Sequence, residues 1–73
     1  MANRMKPAYR IYAPNEFGSL YRIGRTYTTL KTCLSTAAQL SRHFSHTEVR
    51  DDRRPINTRL LAIARQGDII NAI

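Results

Sequence analysis

The stretch YRIYAPNEFGSLYRI, Tyr9–Ile23, carries one tripeptide at both ends, Tyr9-Arg10-Ile11 and Tyr21-Arg22-Ile23. Each copy alternates apolar and polar residues and is rich in aromatic and β-branched types, while Pro14, Asn15 and Gly18 between them supply turn chemistry. This predicts an antiparallel hairpin. A fold-back near Glu16-Phe17 sets Tyr9 against Ile23, Arg10 against Arg22 and Ile11 against Tyr21. In that register the four apolar side chains share one face and the two arginines share the other. A slip by one residue would send one strand's apolar set to solvent, so burial fixes the register. Arginines placed directly opposite destabilise a sheet by roughly 0.2–1 kcal/mol. Two readings of the pair stand open. Either the guanidiniums splay apart on a solvated face, or they form a site for phosphate or carboxylate, which arginine forks match bidentately. Tyr12 lies on the same side.

The rest of the chain organises around that hairpin. Residues 1–7 have no periodicity and read as a flexible basic arm, leaving 8–73 as a single domain. Gly24 is placed to bulge the second strand before Arg25-Thr26-Tyr27. A helix follows, capped by Thr28 or Thr29, with Leu30, Cys33, Leu34, Ala37, Ala38 and Phe44 as its apolar stripe. Thr47–Arg50 forms a short third strand with Val49 inward, and the charged DDRR at Asp51–Arg54 ends in a loop at Pro55. Asn57-Thr58 caps a second helix running through Gln66, which packs through Leu60, Leu61, Ile63 and Ala64 and stops at Gly67. Ile69, Ile70 and Ile73 are then expected to dock back on the core, directed by a final turn that Asp68 caps. The predicted order is β-β-α-β-α: a small α+β domain with a three-stranded antiparallel sheet and its helices on one face.

Size and charge limit the function. A single core in 73 residues leaves little room for a buried catalytic cleft. The formal net charge is +7, and residues 1–31 hold Arg4, Lys6, Arg10, Arg22, Arg25 and Lys31 against Glu16 alone. Such a balance favours an anionic partner: nucleic acid, a phosphate-rich assembly or an acidic protein face. Cys33 is the sole cysteine, so no intrachain disulfide can form and a reducing interior is expected. MANRMK begins basic, but no apolar segment follows it as in an export signal. The longest apolar run, LLAIA, is far short of the roughly 20 residues a membrane helix needs. A soluble monomer in the cytoplasm, without membrane contact, is the expectation.

No chemical site can be assembled from the residues. His43 and His46 with one distant cysteine do not make the four-ligand set of a closed zinc site. Cys33 lies on the apolar stripe with no base at a readable spacing. Asp51-Asp52 sits among Arg50, Arg53 and Arg54, which favours self-neutralisation over cation binding. Gly18 and Gly24 match no nucleotide fingerprint. The reading is non-enzymatic, with neither cofactor nor metal. The residues expected to meet a partner are Arg4, Lys6, Arg10, Tyr12, Arg22 and Arg25, the arm and hairpin that carry the electrostatic footprint of a nucleic-acid binder.

The hairpin YRIYAPNEFGSLYRI followed by TYTTLKTCLSTAAQLSRHF resembles small basic accessory proteins of bacteriophages. Within that group it is similar to the regulators of lytic phages that bind host RNA polymerase. The resemblance implies a regulator that inhibits host initiation or suppresses termination, in the host bacterial cytoplasm. A direct DNA- or RNA-binding domain, or a phage inhibitor of a host defence complex of the anti-CRISPR type, would present the same features.

Overall fold

The computed structural model describes residues 8–72. The Asn15 side chain decides how the first hairpin closes. Its Oδ1 accepts from the backbone N–H of Phe17 at 2.8 Å and of Ser19 at 3.0 Å. The Asn15 N–H donates to the Ser19 carbonyl at 2.8 Å, and Gly18 takes a φ of +84°. This is a three-residue loop with glycine at its left-handed position. Strands β1 (Tyr9–Pro14) and β2 (Leu20–Tyr27) therefore pair two residues away from the register that the YRI repeat suggests. Ile11 faces Ile23, Tyr12 faces Arg22 and Ala13 faces Tyr21. Arg10 does not face Arg22. The shift is even, so each side chain keeps its expected face. The bulge falls at the expected place, with Gly24 at φ +70°, and pairing resumes at Tyr9 with Tyr27.

Helix α1 (Leu30–Leu40) begins after Thr29, whose hydroxyl donates to the Thr32 hydroxyl at 2.9 Å and bonds no backbone N–H. Cys33, Ala37 and Ser41, each four residues apart, are buried in one line against the sheet. Leu30, Leu34 and Leu40 flank that line, half-buried. Phe44 lies beyond the helix end. Strand β3 (Thr47–Asp51) returns beside β1 on the side away from β2, with Ile11 opposite Val49 and both fully buried. The buried Thr47 hydroxyl donates to the Ala37 carbonyl at 2.8 Å and ties β3 to the end of the helix.

The C-terminal third corrects the expected fold. No second α-helix runs from Asn57 to Gln66; a 3₁₀ turn at Ile56–Thr58 leads into strand β4 (Leu60–Arg65). Ile69 and Ile70 belong to a fifth strand, β5 (Asp68–Ala72), and Ile73 lies outside the described residues. Asp68 opens that strand and caps no helical turn. Gly67 is not a helix stop. Gln66 and Gly67 have φ of 52° and 89° and form a two-residue hairpin loop between the partners Arg65 and Asp68, the geometry of a type I′ turn. The domain is thus α+β with one helix on a five-stranded antiparallel sheet of order β2-β1-β3-β4-β5, in place of three strands and two helices. The apolar run Leu60–Ala64 fits a short helix or a buried strand equally by periodicity. The adjacent β5 decides it, because pairing satisfies both backbones.

The β4–β5 turn rests on the helix end. The Gly67 N–H donates to Ser41 Oγ at 2.9 Å, and Ser41 Oγ donates to the Ala38 carbonyl at 2.6 Å. A Cβ at Gly67 would also stand 2.5 Å from Arg42 Nε, at the flexible end of that side chain. Gly67→Ala should lower stability by about 1–2 kcal/mol through the left-handed backbone, read as a fall in Tm of roughly 4–8 °C per kcal/mol. Gly67→Asn should lose clearly less, since asparagine tolerates that conformation. Equal losses in thermal melts would assign the effect to the Arg42 contact instead.

Candidate functional site

The helix lies on one face of the sheet, and on the other, along β1 and β3, charged side chains are laced to one another. Arg10 and Arg50 are register partners across β1 and β3, so an arginine pair does exist, one strand over from where the YRI repeat suggests it. Their guanidiniums part. Arg10 Nη1 reaches Asp52 at 2.8 Å, while Arg50 donates to Glu48 Oε1 from Nε at 3.1 Å and from Nη2 at 2.6 Å. Arg50 also lies 5.5 Å from the centre of the Tyr12 ring, and His46 Nε2 is 3.1 Å from Glu48 Oε2. The centre of this face is therefore neutral and internally bonded. Arg10 Nε is buried with no hydrogen-bond partner among the described residues.

The structure separates the six residues read as a partner surface. Arg10 and Tyr12 belong to the laced layer. Arg22 is exposed on β2, an outer strand of the sheet, opposite Tyr12. Arg25 is exposed at the far end of β2, 5.0 Å above the Tyr27 ring. Arg4 and Lys6 lie outside the described residues. Sequence reading missed the apolar group at the hairpin tip: Phe17 is 84% exposed, with Leu20 and Tyr21 beside it at 37% and 43%. Three large apolar side chains around a tight turn are themselves the signal, since a turn tip is ordinarily polar.

At the opposite end, Arg25, Thr26, Tyr27, Thr28, Thr29 and Thr32 line an open cleft of about 330 Å³. It offers hydroxyls and a guanidinium but no carboxylate or imidazole for proton transfer. Beside it Tyr9 pairs with Tyr27, and Arg53 lies 5.1 Å above Tyr9 while donating to its hydroxyl at 3.1 Å. Arg53 also binds Asp51 through Nε at 3.0 Å. The self-neutralisation expected of Asp51-Asp52 thus takes two routes, Asp51 to Arg53 and Asp52 across the sheet to Arg10. Cys33 is fully buried and burial pushes its thiol up to about 11, which removes the thiolate needed of a nucleophile. Among the described residues no group of three or more metal-ligating side chains converges, and no helix is long and apolar enough to cross a membrane. No family model, curated protein or solved structure matches this chain.

The ion pairs can be probed by stability. Arg10→Thr should lower stability by up to about 1 kcal/mol, the range for partly exposed pairs, and Arg22→Thr should stay within about 0.5 kcal/mol of the parent. A gain on removing Arg10 would show that repulsion from Arg50 outweighs the Asp52 pair. The Asp51 carboxyl is held below its ordinary value of 3.8, chiefly by the Arg53 side-chain hydrogen bond, with burial opposing. A depressed folded-state pKa contributes stability that is present above the unfolded value and lost as pH falls through the folded one. Tm should therefore fall as pH drops below the ordinary carboxylate value and on through the depressed one, and Asp51→Asn should flatten that fall. An unchanged slope would assign the acid sensitivity to other carboxylates.

Proposed function

We propose that this protein is a non-enzymatic regulator of phage type that docks its β1–β2 hairpin on a host protein complex. The resemblance of the hairpin and helix to phage regulators makes bacterial RNA polymerase the target, with inhibition of initiation or suppression of termination as the outcome. The observation that carries the reading is the composition of the hairpin tip. Phe17 is exposed at the loop, Leu20 and Tyr21 are partly exposed next to it on opposite faces of β2, and Arg22, on the Leu20 face, has no carboxylate in ion-pair distance among the described residues. Aromatic residues and arginine dominate the energetic centres of protein interfaces. Leaving Phe17 in water forgoes burial worth about 1.5–3 kcal/mol, with smaller amounts at the partly covered Leu20 and Tyr21, and a small domain keeps apolar surface of this kind where a partner covers it. Occlusion by a two-stranded arm needs no chemistry from the protein.

Affinity capture from bacterial lysate, with and without nuclease, tests the proposal. Polymerase subunits should be retained in both samples. A Phe17→Ala/Tyr21→Ala double variant should lose them, with affinity reduced on the order of 30-fold or more if either side chain is an energetic centre, while its Tm stays close to the parent's. Retention that disappears with nuclease, or persists undiminished in the double variant, would overturn hairpin docking on this target.

A further inference from the structure

We infer that the end of the domain opposite the hairpin tip is a second binding surface, one that takes the phosphate backbone of nucleic acid. This goes beyond the hairpin reading and does not rest on it. Net charge alone hides how unevenly the cations are placed. Arg10, Arg50 and Arg53 are used in pairs with Asp52, Glu48 and Asp51. Of the other described cations, Arg25, Lys31, Arg54 and Arg59 all sit at one end of the sheet, without a carboxylate in ion-pair distance among the described residues. Backbone contacts establish the neighbourhood. Ala8 donates to the Tyr27 carbonyl at 3.0 Å and accepts from Asp52 at 3.3 Å, so the ends of β2 and β3 flank it. The Arg54 N–H donates to the Asp51 carbonyl, the Asp51 N–H to the Arg59 carbonyl, and Arg59 Nε to the Arg54 carbonyl at 2.8 Å. Lys31 stands in the first turn of α1, beside the threonine cleft. Arg4 and Lys6 precede Ala8 in the sequence. At the hairpin end Arg22, Arg42 and Arg65 are likewise in no ion pair among the described residues, but they stand with Glu16 and Asp68, a net +1 against +4 at the opposite end.

The chemistry of this end selects phosphate over an acidic protein. Phosphate oxygens are contacted by arginine, lysine and threonine hydroxyls, and the cleft supplies Arg25 with Thr26, Thr28, Thr29 and Thr32. Arg25 lies over the buried Tyr27 ring, which pairs across β1 and β2 with Tyr9. A protein interface needs an apolar centre. Of the exposed large apolar residues among those described, only Ile56 lies here; Phe17, Leu20, Tyr21, Ile69 and Ile70 are elsewhere. Nucleic-acid interfaces are polar and strongly positive. Contacts of this kind go to phosphate and carry no sequence information, so binding is expected to ignore sequence, with a Kd of about 10⁻⁴–10⁻⁶ M at physiological salt.

The test is fluorescence anisotropy with a labelled duplex of about 24 base pairs and arbitrary sequence, titrated between roughly 50 and 200 mM KCl. Arg25→Gln/Arg54→Gln should weaken binding at least tenfold at the lower salt. It should also reduce the slope of log K against log salt by about two, at near 0.9 for each phosphate that is no longer neutralised. Arg42→Gln/Arg65→Gln removes equal charge from the other end and should change affinity less than threefold. Equal effects in the two variants would overturn the site in favour of diffuse net charge. Poly-L-aspartate displacing the duplex at matched charge would reassign the surface to an acidic protein, and absence of any binding at the lowest salt would remove it. Amide shifts of the unsubstituted protein on adding the duplex give a check independent of folding. They should cluster at 25–32 and 52–59, and clustering at 16–22 would contradict the assignment. Phe17→Ala/Tyr21→Ala should bind the duplex as the parent does, so failure of polymerase capture leaves this result standing.

Discussion

The contact between the thin side of α1 and the sheet sets the rest of the structure. Cys33, Ala37 and Ser41 present almost no volume, and they meet a sheet surface whose inner residues are also small: Ala13, Val49, Ala62 and Ala64 around Ile11. Helix and sheet therefore approach closely, and the leucines of the helix are displaced to its borders. Close approach also brings the helix end within reach of side-chain hydroxyls. Thr47 bonds the Ala37 carbonyl and Ser41 receives the Gly67 N–H, so one end of the helix is tied to β3 and to the β4–β5 turn. A bulkier residue at position 37 would push the helix off the sheet and break both ties together, since packed interiors tolerate even one added methylene poorly.

That geometry explains which parts of the fold are legible in the sequence. The hairpin, its inward face, the glycine bulge and the start of α1 depend on local periodicity and turn chemistry, and they stand where the residues place them. The hairpin register does not. The YRI repeat suggests a symmetric fold-back, but Asn15 Oδ1 ties two backbone N–H groups and closes a shorter loop. Leu60–Ala64 misleads for a different reason: its state depends on the strand that follows it, and only the pair Gln66-Gly67 at the centre of a hairpin betrays that partner. A two-residue loop ending in glycine between apolar runs outweighs a weak cap at Asn57-Thr58.

The candidate surface is half legible on similar grounds. Exposed cations without near neighbours of opposite charge, Arg22 and Arg25, are recoverable from composition. The engagement of Arg10 by Asp52 is not, because it is made across β1 and β3, strands separated in sequence by β2 and the whole helix. The same non-local pairing converts the arginine opposition from a β1–β2 feature into a β1–β3 one, where Glu48 and Asp52 draw the two guanidiniums apart. Like charges on neighbouring strands are tolerable because each has a carboxylate two residues along its own or its partner's face.

Neutralising the middle of the open face is what makes the two ends chemically distinct. β2 is eight residues long, roughly 25 Å at the rise of a strand, whereas charges in physiological salt are screened beyond about 8 Å. Cations at one end consequently have almost no influence on a partner held at the other. In between, Arg10, Arg50, Glu48 and Asp52 answer one another and carry no net field along the face. A domain of this size can thus present an apolar tip and a cationic base as separate surfaces, one suited to burial against protein and the other to displacing counterions from phosphate. The two proposed surfaces share no residue, and β1 and β2 carry elements of each at opposite ends of the hairpin.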